Sequence, residues 1–143
     1  MEASLRSFFE RYASVFRRAL QGDGDMNEVA GLYAPAFISS TPAGVSTGTN
    51  DERLKQAMTE GYARYRDQGM TDMRLRGLRV SPIDERHCVA HVAWTATYAR
   101  KDKSQTAIDF EVHYFVRDQN AEPKVFGWVS GDEEALLKKH HLA

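Results

Sequence analysis

The chain has 143 residues, 42% of them hydrophobic and 27% charged, which supplies the core of one globular domain over residues 1–143 and leaves no length for a second. Nineteen basic residues against twenty acidic give a formal net charge of −1, and the basic residues are dispersed, so the electrostatic stripe required by a nucleic-acid partner is absent. The first twenty residues lack the apolar core of a signal peptide, no run is long enough to span a membrane, and the single cysteine, Cys88, has no partner; together these predict a cytoplasmic protein without disulfides or a cysteine-based metal cluster.

In chain order, Leu5, Phe8, Phe9, Tyr12, Val15, Phe16, Ala19 and Leu20 recur at three-and-four spacing and predict a first helix with one broad apolar face, Arg6, Glu10, Arg11 and Arg17 lying elsewhere. Asp25, with Glu28 three residues on, caps a second, short helix that buries Met26, Val29, Leu32 and Tyr33 and must end before Pro35. Ala36 to Thr41 reads as a short strand, and the glycine, serine and threonine of Pro42 to Gly48 as a loop. Thr49 and Glu52 have capping-box spacing ahead of a third helix, in which Leu54, Ala57, Met58, Gly61, Tyr62 and Tyr65 keep helical register until Gly69 terminates it.

From Met70 the period changes to two. Met73, Leu75, Gly77 and Arg79 fall on one face of a strand, against Arg74, Arg76, Leu78 and Val80, and Pro82 ends it. In His87 to Arg100, Cys88, Ala90, Val92, Trp94, Ala96 and Tyr98 alternate with His87, Val89, His91, Ala93, Thr95, Thr97 and Ala99. Thr106 to Arg117 sets Ile108, Phe110, Val112, Tyr114 and Val116 against Ala107, Asp109, Glu111, His113 and Phe115. Lys124 to Ser130 forms the last strand with Phe126 and Trp128, and a short helix follows from near Asp132, its end carrying Lys138, Lys139, His140 and His141 as dipole-favoured cations. A run as long as His87 to Arg100 would extend roughly 45 Å at about 3.3 Å per residue, so the sheet must twist or bulge. Apolar residues on both faces predict that the outer face meets a second copy of the chain.

The helix, helix, strand, helix, four-strand order, with the segment DFEVHYFVRDQNAEPKVFGWVSGDEEAL from Asp109 to Leu136 leading into a tryptophan-bearing strand at Trp128, resembles the nuclear transport factor 2-like superfamily, also called SnoaL-like or cystatin-like. The resemblance covers nearly the whole chain. It implies an α+β cone, a curved and mostly antiparallel sheet wrapped around the helices, with a cavity between them. Relatives of this kind include isomerases, cyclases, dehydratases, hydrolases and non-catalytic binding or dimerisation domains, so the fold does not select an activity. The short strand that carries the catalytic aspartate in ketosteroid isomerases holds Ser39, Ser40 and Thr41 here.

Two candidate sets remain. Asp109, Glu111 and His113 share a face of one strand, with His91 on its neighbour, and could move protons if they enter a pocket. Ile108, Phe110, Val112 and Tyr114 make the better core face, which would send the charged set outward; the hairpin register decides. The aromatic set Tyr12, Phe16, Tyr33, Phe37, Tyr62, Tyr65, Trp94, Tyr98, Phe110, Tyr114 and Trp128 could line an apolar cavity for a small molecule, with Tyr12, Tyr62 and Tyr98 as polar handles. His91, His113 and a carboxylate lack the compact spacing of a metal motif, and neither metal nor cofactor is expected. The reading is a homodimeric binding or dimerisation protein with an apolar pocket; a cofactor-independent acid-base enzyme and a protein-transport adaptor are the alternatives.

Overall fold

The computed structural model describes residues 2–119 and 122–142. Its elements are α1 (Glu2–Leu20), α2 (Met26–Ala30), β1 (Tyr33–Thr41), β2 (Gly44–Thr49), α3 (Glu52–Asp67), β3 (Met70–Pro82), β4 (His87–Ala99), β5 (Gln105–Gln119), β6 (Glu122–Ser130) and α4 (Glu133–Lys139). The strands form one curved, unclosed sheet in the order β2-β1-β6-β5-β4-β3. Its pairings are antiparallel except β1 with β6. The expected α+β cone is present, with helices on the concave side.

The apolar face of α1 explains its place. Leu5, Phe8, Phe9, Ala13, Val15, Phe16, Ala19 and Leu20 are buried. They join Val92, Trp94, Ala96, Tyr98, Ile108, Val112, Tyr114 and Val116 from the concave faces of β4 and β5 in one core cluster. Cys88 belongs to the same cluster, 1% exposed, and burial raises the pKa of its thiol, so it packs as a small hydrophobe. α2 is capped as its sequence requires, with the Asp25 side chain accepting from the Asn27 backbone N–H at 2.9 Å. Glu28 does not complete a capping box; its carboxylate takes the Arg18 guanidinium at 2.6 Å. Gly69 ends the α3 connection at φ +94°, and a Cβ there would lie 2.4 Å from the backbone oxygen of Ala99, so only glycine fits.

Leu32 and Tyr33, expected on α2, lie beyond its end at Ala30, with Tyr33 opening β1, and three further features depart from the sequence expectations. The stretch read as a loop, 42–48, contains β2, which pairs with β1 from Ala36↔Thr49 to Thr41↔Gly44. Its residues are almost all exposed, so no burial alternation marks it, and backbone pairing alone makes it a strand. Thr49 lies in that strand and does not cap α3; Asp51 does, its side chain accepting from the Arg53 N–H at 2.9 Å. Glu52 instead pairs with Lys55 at 3.0 Å. In β3 a register shift between Leu75 and Gly77 breaks the alternation. Met73 and Leu75 stand beside inward-facing Ala96 and Trp94, whereas beyond the bulge Leu78 and Val80 stand beside inward-facing Val92 and Ala90. Gly77 and Arg79 therefore share the outer face with Arg74, and the apparent apolar content of both faces of β3 is one concave face interrupted by a bulge.

The cap reassignment is testable. Asp51→Ala removes an acceptor from the first turn of α3 and should lower the urea midpoint, whereas Thr49→Ala should leave it unchanged. Equal shifts for the two variants would return the cap to Thr49.

Candidate functional site

Between the helices and the concave sheet lies a cavity of about 260 Å³. It is lined by Tyr12 and Phe16 of α1, Tyr33 of β1, Ala57, Met58, Gly61, Tyr62, Arg64 and Tyr65 of α3, Met73 of β3, Trp94 of β4, Phe110, Val112 and Tyr114 of β5, Trp128 and Ser130 of β6, and Glu133 of α4. Seven of these are tyrosine or tryptophan, so the wall is apolar in area but ends in hydroxyl and indole N–H groups. Two members of the expected aromatic set lie elsewhere. Phe37 stacks on Trp128 with ring centroids 5.4 Å apart and faces an open groove between β1, β2 and α3. Tyr98 lines a void of about 30 Å³ beneath α4, behind Tyr65, Phe110 and Glu133.

The rings hold one another in place. Tyr12 sits 5.7 Å from both Trp94 and Tyr114, centroid to centroid, and its hydroxyl shares a 2.7 Å hydrogen bond with that of Tyr33. The Trp94 indole N–H donates to the Tyr114 hydroxyl at 3.1 Å. The Tyr62 hydroxyl has no hydrogen-bond partner among the described residues although its ring is buried, which leaves it as a free donor. Burial raises the pKa of Tyr12, Tyr33, Tyr62, Tyr65 and Tyr114, and pushes Tyr98 up to about 12. These phenols are therefore neutral at physiological pH and can donate a hydrogen bond rather than act as bases.

The acidic group of the cavity is Glu133. Its carboxylate accepts from the Tyr65 hydroxyl at 3.2 Å. The residue as a whole is exposed at the rim, yet the groups packed around its carboxylate raise its pKa by desolvation, opposed by the Tyr65 hydrogen bond and the Arg64 charge. Nothing in local sequence marks it, because an acidic residue in the first turn of a helix is ordinary. Only two residues, Gly131 and Asp132, separate β6 from α4, and this short link obliges the first turn of α4 to sit beside Trp128 and Ser130 at the cavity mouth. Gly61, Arg64, Met58 and Met73 also escaped a reading built on aromatic residues.

The charged candidates lie on the opposite face of the sheet. β4 and β5 pair without a break from His87↔Arg117 to Ala99↔Gln105, setting Thr95 beside Asp109, Ala93 beside Glu111 and His91 beside His113. This is the face opposite Trp94 and Tyr114. There Asp109 accepts from the Thr95 hydroxyl at 2.7 Å and lies 3.6 Å from the Arg76 guanidinium. The Nδ1 atoms of His91 and His113 lie 2.7 Å apart, within hydrogen-bond distance, and His91 Nε2 meets the Ser81 hydroxyl at 2.8 Å. Desolvation, then the positive charge of Arg79, lowers the His91 pKa, so His91 is neutral at physiological pH. Neither carboxylate reaches the cavity, and among the described residues no group of three or more His, Cys, Asp or Glu side chains is arranged to hold a metal ion.

A family model described as NTF2-like protein (DUF6841) matches residues 2–133. No curated protein matches significantly. Among solved structures, an NTF2-like protein with a cystatin-like fold from Novosphingobium aromaticivorans superposes with a TM-score of 0.69 at 11% identity, over 99% of this chain and 87% of that one. A ketosteroid isomerase-like protein from Erwinia carotovora atroseptica gives 0.59 at 15% identity, over 92% of each chain. An NTF-2 like protein of unknown function from Shewanella oneidensis MR-1 gives 0.64 at 9%, over 92% and 98%. At such identities the likeness is one of fold. No helix among the described residues is long and apolar enough to cross a membrane.

Gly61 gives a test of the cavity wall. It lies within α3, where glycine costs about 0.5–1 kcal/mol relative to alanine. A Cβ added there would meet only the end of the Arg64 side chain, at 4.0 Å. Gly61→Ala should therefore stabilise the protein by about 0.5–1 kcal/mol in urea denaturation. Destabilisation would mean that the wall at this point is closed.

Proposed function

The chain belongs to the family of NTF2-like proteins (DUF6841), and from that premise we propose that it binds a small, largely apolar molecule in the cone between helices and sheet. The observation that carries this reading is the cavity itself. Its volume, about 260 Å³, lies just below the usual range for drug-sized ligand pockets, about 300–1,000 Å³, which suits a small molecule. Its apolar wall surrounds a few oriented polar groups: the free Tyr62 hydroxyl, Ser130 and Glu133. A helix-interior glycine on the same wall supports the reading, since Gly61 keeps open a space that an ordinary side chain would fill. A second reading, acid-base chemistry on the bound molecule, is favoured by one observation, the cavity-lining carboxylate of Glu133 with its raised pKa. In that reading Glu133 takes the part that sequence alternation offered to Asp109, Glu111 and His113.

Binding is checked with 2-naphthol as an apolar probe bearing one hydroxyl. It should quench the fluorescence of Trp94 and Trp128 saturably and raise Tm. Gly61→Leu, which fills the cavity from α3, should reduce both effects at least tenfold. Unsaturable quenching that Gly61→Leu does not change would remove the reading.

The outer face of the sheet is proposed to pair with a second copy of the chain. Charge supports this. Arg74, Arg76 and Arg79 lie on β3 and Asp109 and Glu111 on β5, with the small Ala93 of β4 between them. A two-fold axis running along the strands brings the arginines of each copy over the carboxylates of the other, whereas an axis across the strands stacks arginine on arginine. The rim also carries Val129, 39% exposed, beside His113. Glu111→Arg should weaken association more than tenfold in sedimentation equilibrium while leaving 2-naphthol binding unchanged. A compact monomer for the parent protein at micromolar concentration would overturn the dimer.

A further inference from the structure

We infer that the cavity selects an organic amine, held as its ammonium ion between the aromatic rings and the carboxylate of Glu133; this rests on the small-molecule reading above and specifies its ligand class. Three observations lead to it. First, the wall is unusually rich in phenol and indole rings, whose faces carry negative electrostatic potential and attract a cation. Second, the carboxylate bordering the cavity is underused. Among the described residues Glu133 has one hydrogen bond, from the neutral Tyr65 hydroxyl, and no ion pair within 4.0 Å. An ammonium group supplies the donors that this carboxylate lacks, and the pairing offsets the loss of the amine's hydration on entering an apolar wall.

Third, the phenols favour the same ligand. Kept neutral by burial, they present hydroxyl oxygens that can accept from an ammonium N–H, as can Ser130. A carboxylate-bearing ligand would instead have to approach Glu133 with like charge. Arg64 is the opposing influence, since its guanidinium borders the same mouth and lies near Gly61. Arg64 is exposed and water screens its charge, whereas the groups packed around the Glu133 carboxylate desolvate it. It tunes the site without reversing its sign.

The experiment compares benzylamine with benzyl alcohol, two probes of nearly equal size that differ in charge, by isothermal titration at pH 8. A Lys-like ammonium remains protonated there. On the parent protein benzylamine should bind at least tenfold tighter than benzyl alcohol. Glu133→Gln should abolish that preference, and Arg64→Gln should widen it severalfold in favour of the amine. Equal affinity of the two probes for the parent protein, or tighter binding of the alcohol, overturns the amine inference and leaves small-molecule binding standing. Binding of neither probe, with 2-naphthol also inert, removes both. The comparison on the parent protein decides even if Glu133→Gln fails to fold.

Discussion

The unbroken pairing of β4 with β5 is the constraint on which the rest of this structure depends. Thirteen consecutive pairs, His87↔Arg117 to Ala99↔Gln105, contain no bulge, so the parity of every residue on the two central strands is fixed together. Even-numbered positions from Cys88 to Tyr98 and from Ile108 to Val116 turn toward the helices, and odd-numbered positions turn away. A slip of one residue between these strands would bring Glu111 and His113 beside the face of Trp94 and expose Phe110 and Val112. The loss of apolar burial forbids it, at about 1.5–3 kcal/mol for each large side chain turned outward.

The flanking strands adapt to this rigid pair. β3 takes a bulge between Leu75 and Gly77, and β6 shifts register beside Phe115 and Val116, so twist is absorbed at both sides of the central pair. Curvature then opens a space that α1 does not fill, because its rings divide between two walls: Phe9 and Tyr12 pack on Trp94 and Tyr114, and Phe16 packs on Tyr62 and Tyr65 of α3. Phe9 and Tyr12 meet Trp94 and Tyr114 at centroid separations of 5.0 to 6.5 Å. Large, stiff rings supported on two sides leave a gap beyond them where smaller, flexible side chains could collapse. The cavity is thus a consequence of the same packing that holds the core.

The two faces of the sheet consequently have different chemistry. The concave face offers rings, neutral hydroxyls and one carboxylate at its rim, which suits a small molecule. The convex face offers side chains already engaged with one another, such as Asp109 with Thr95 and Arg76, and His91 with His113 and Ser81. Groups so paired are poorly placed to meet a substrate, but their ordered charges can orient a protein surface.

Local pattern and chain order determined much of this protein. The spacing from Leu5 to Leu20 specified α1 and its buried face, Asp25 capped α2, Gly69 closed α3, and alternation over His87 to Arg117 specified two long strands with Trp94, Phe110 and Tyr114 as core or cavity residues. These features are set by residues close in sequence, whose periodicity records which side is apolar. Tertiary structure decided the rest. β2 exists because its exposed backbone finds β1; Asp51 displaces Thr49 as a cap because Thr49 is drawn into that strand. Asp109, Glu111 and His113 face outward because β5 is locked to β4, and Glu133 reaches the cavity because β6 delivers α4 to its mouth. In each case the deciding partner is distant in sequence or lies across a turn, and a residue's own neighbours carry no record of it.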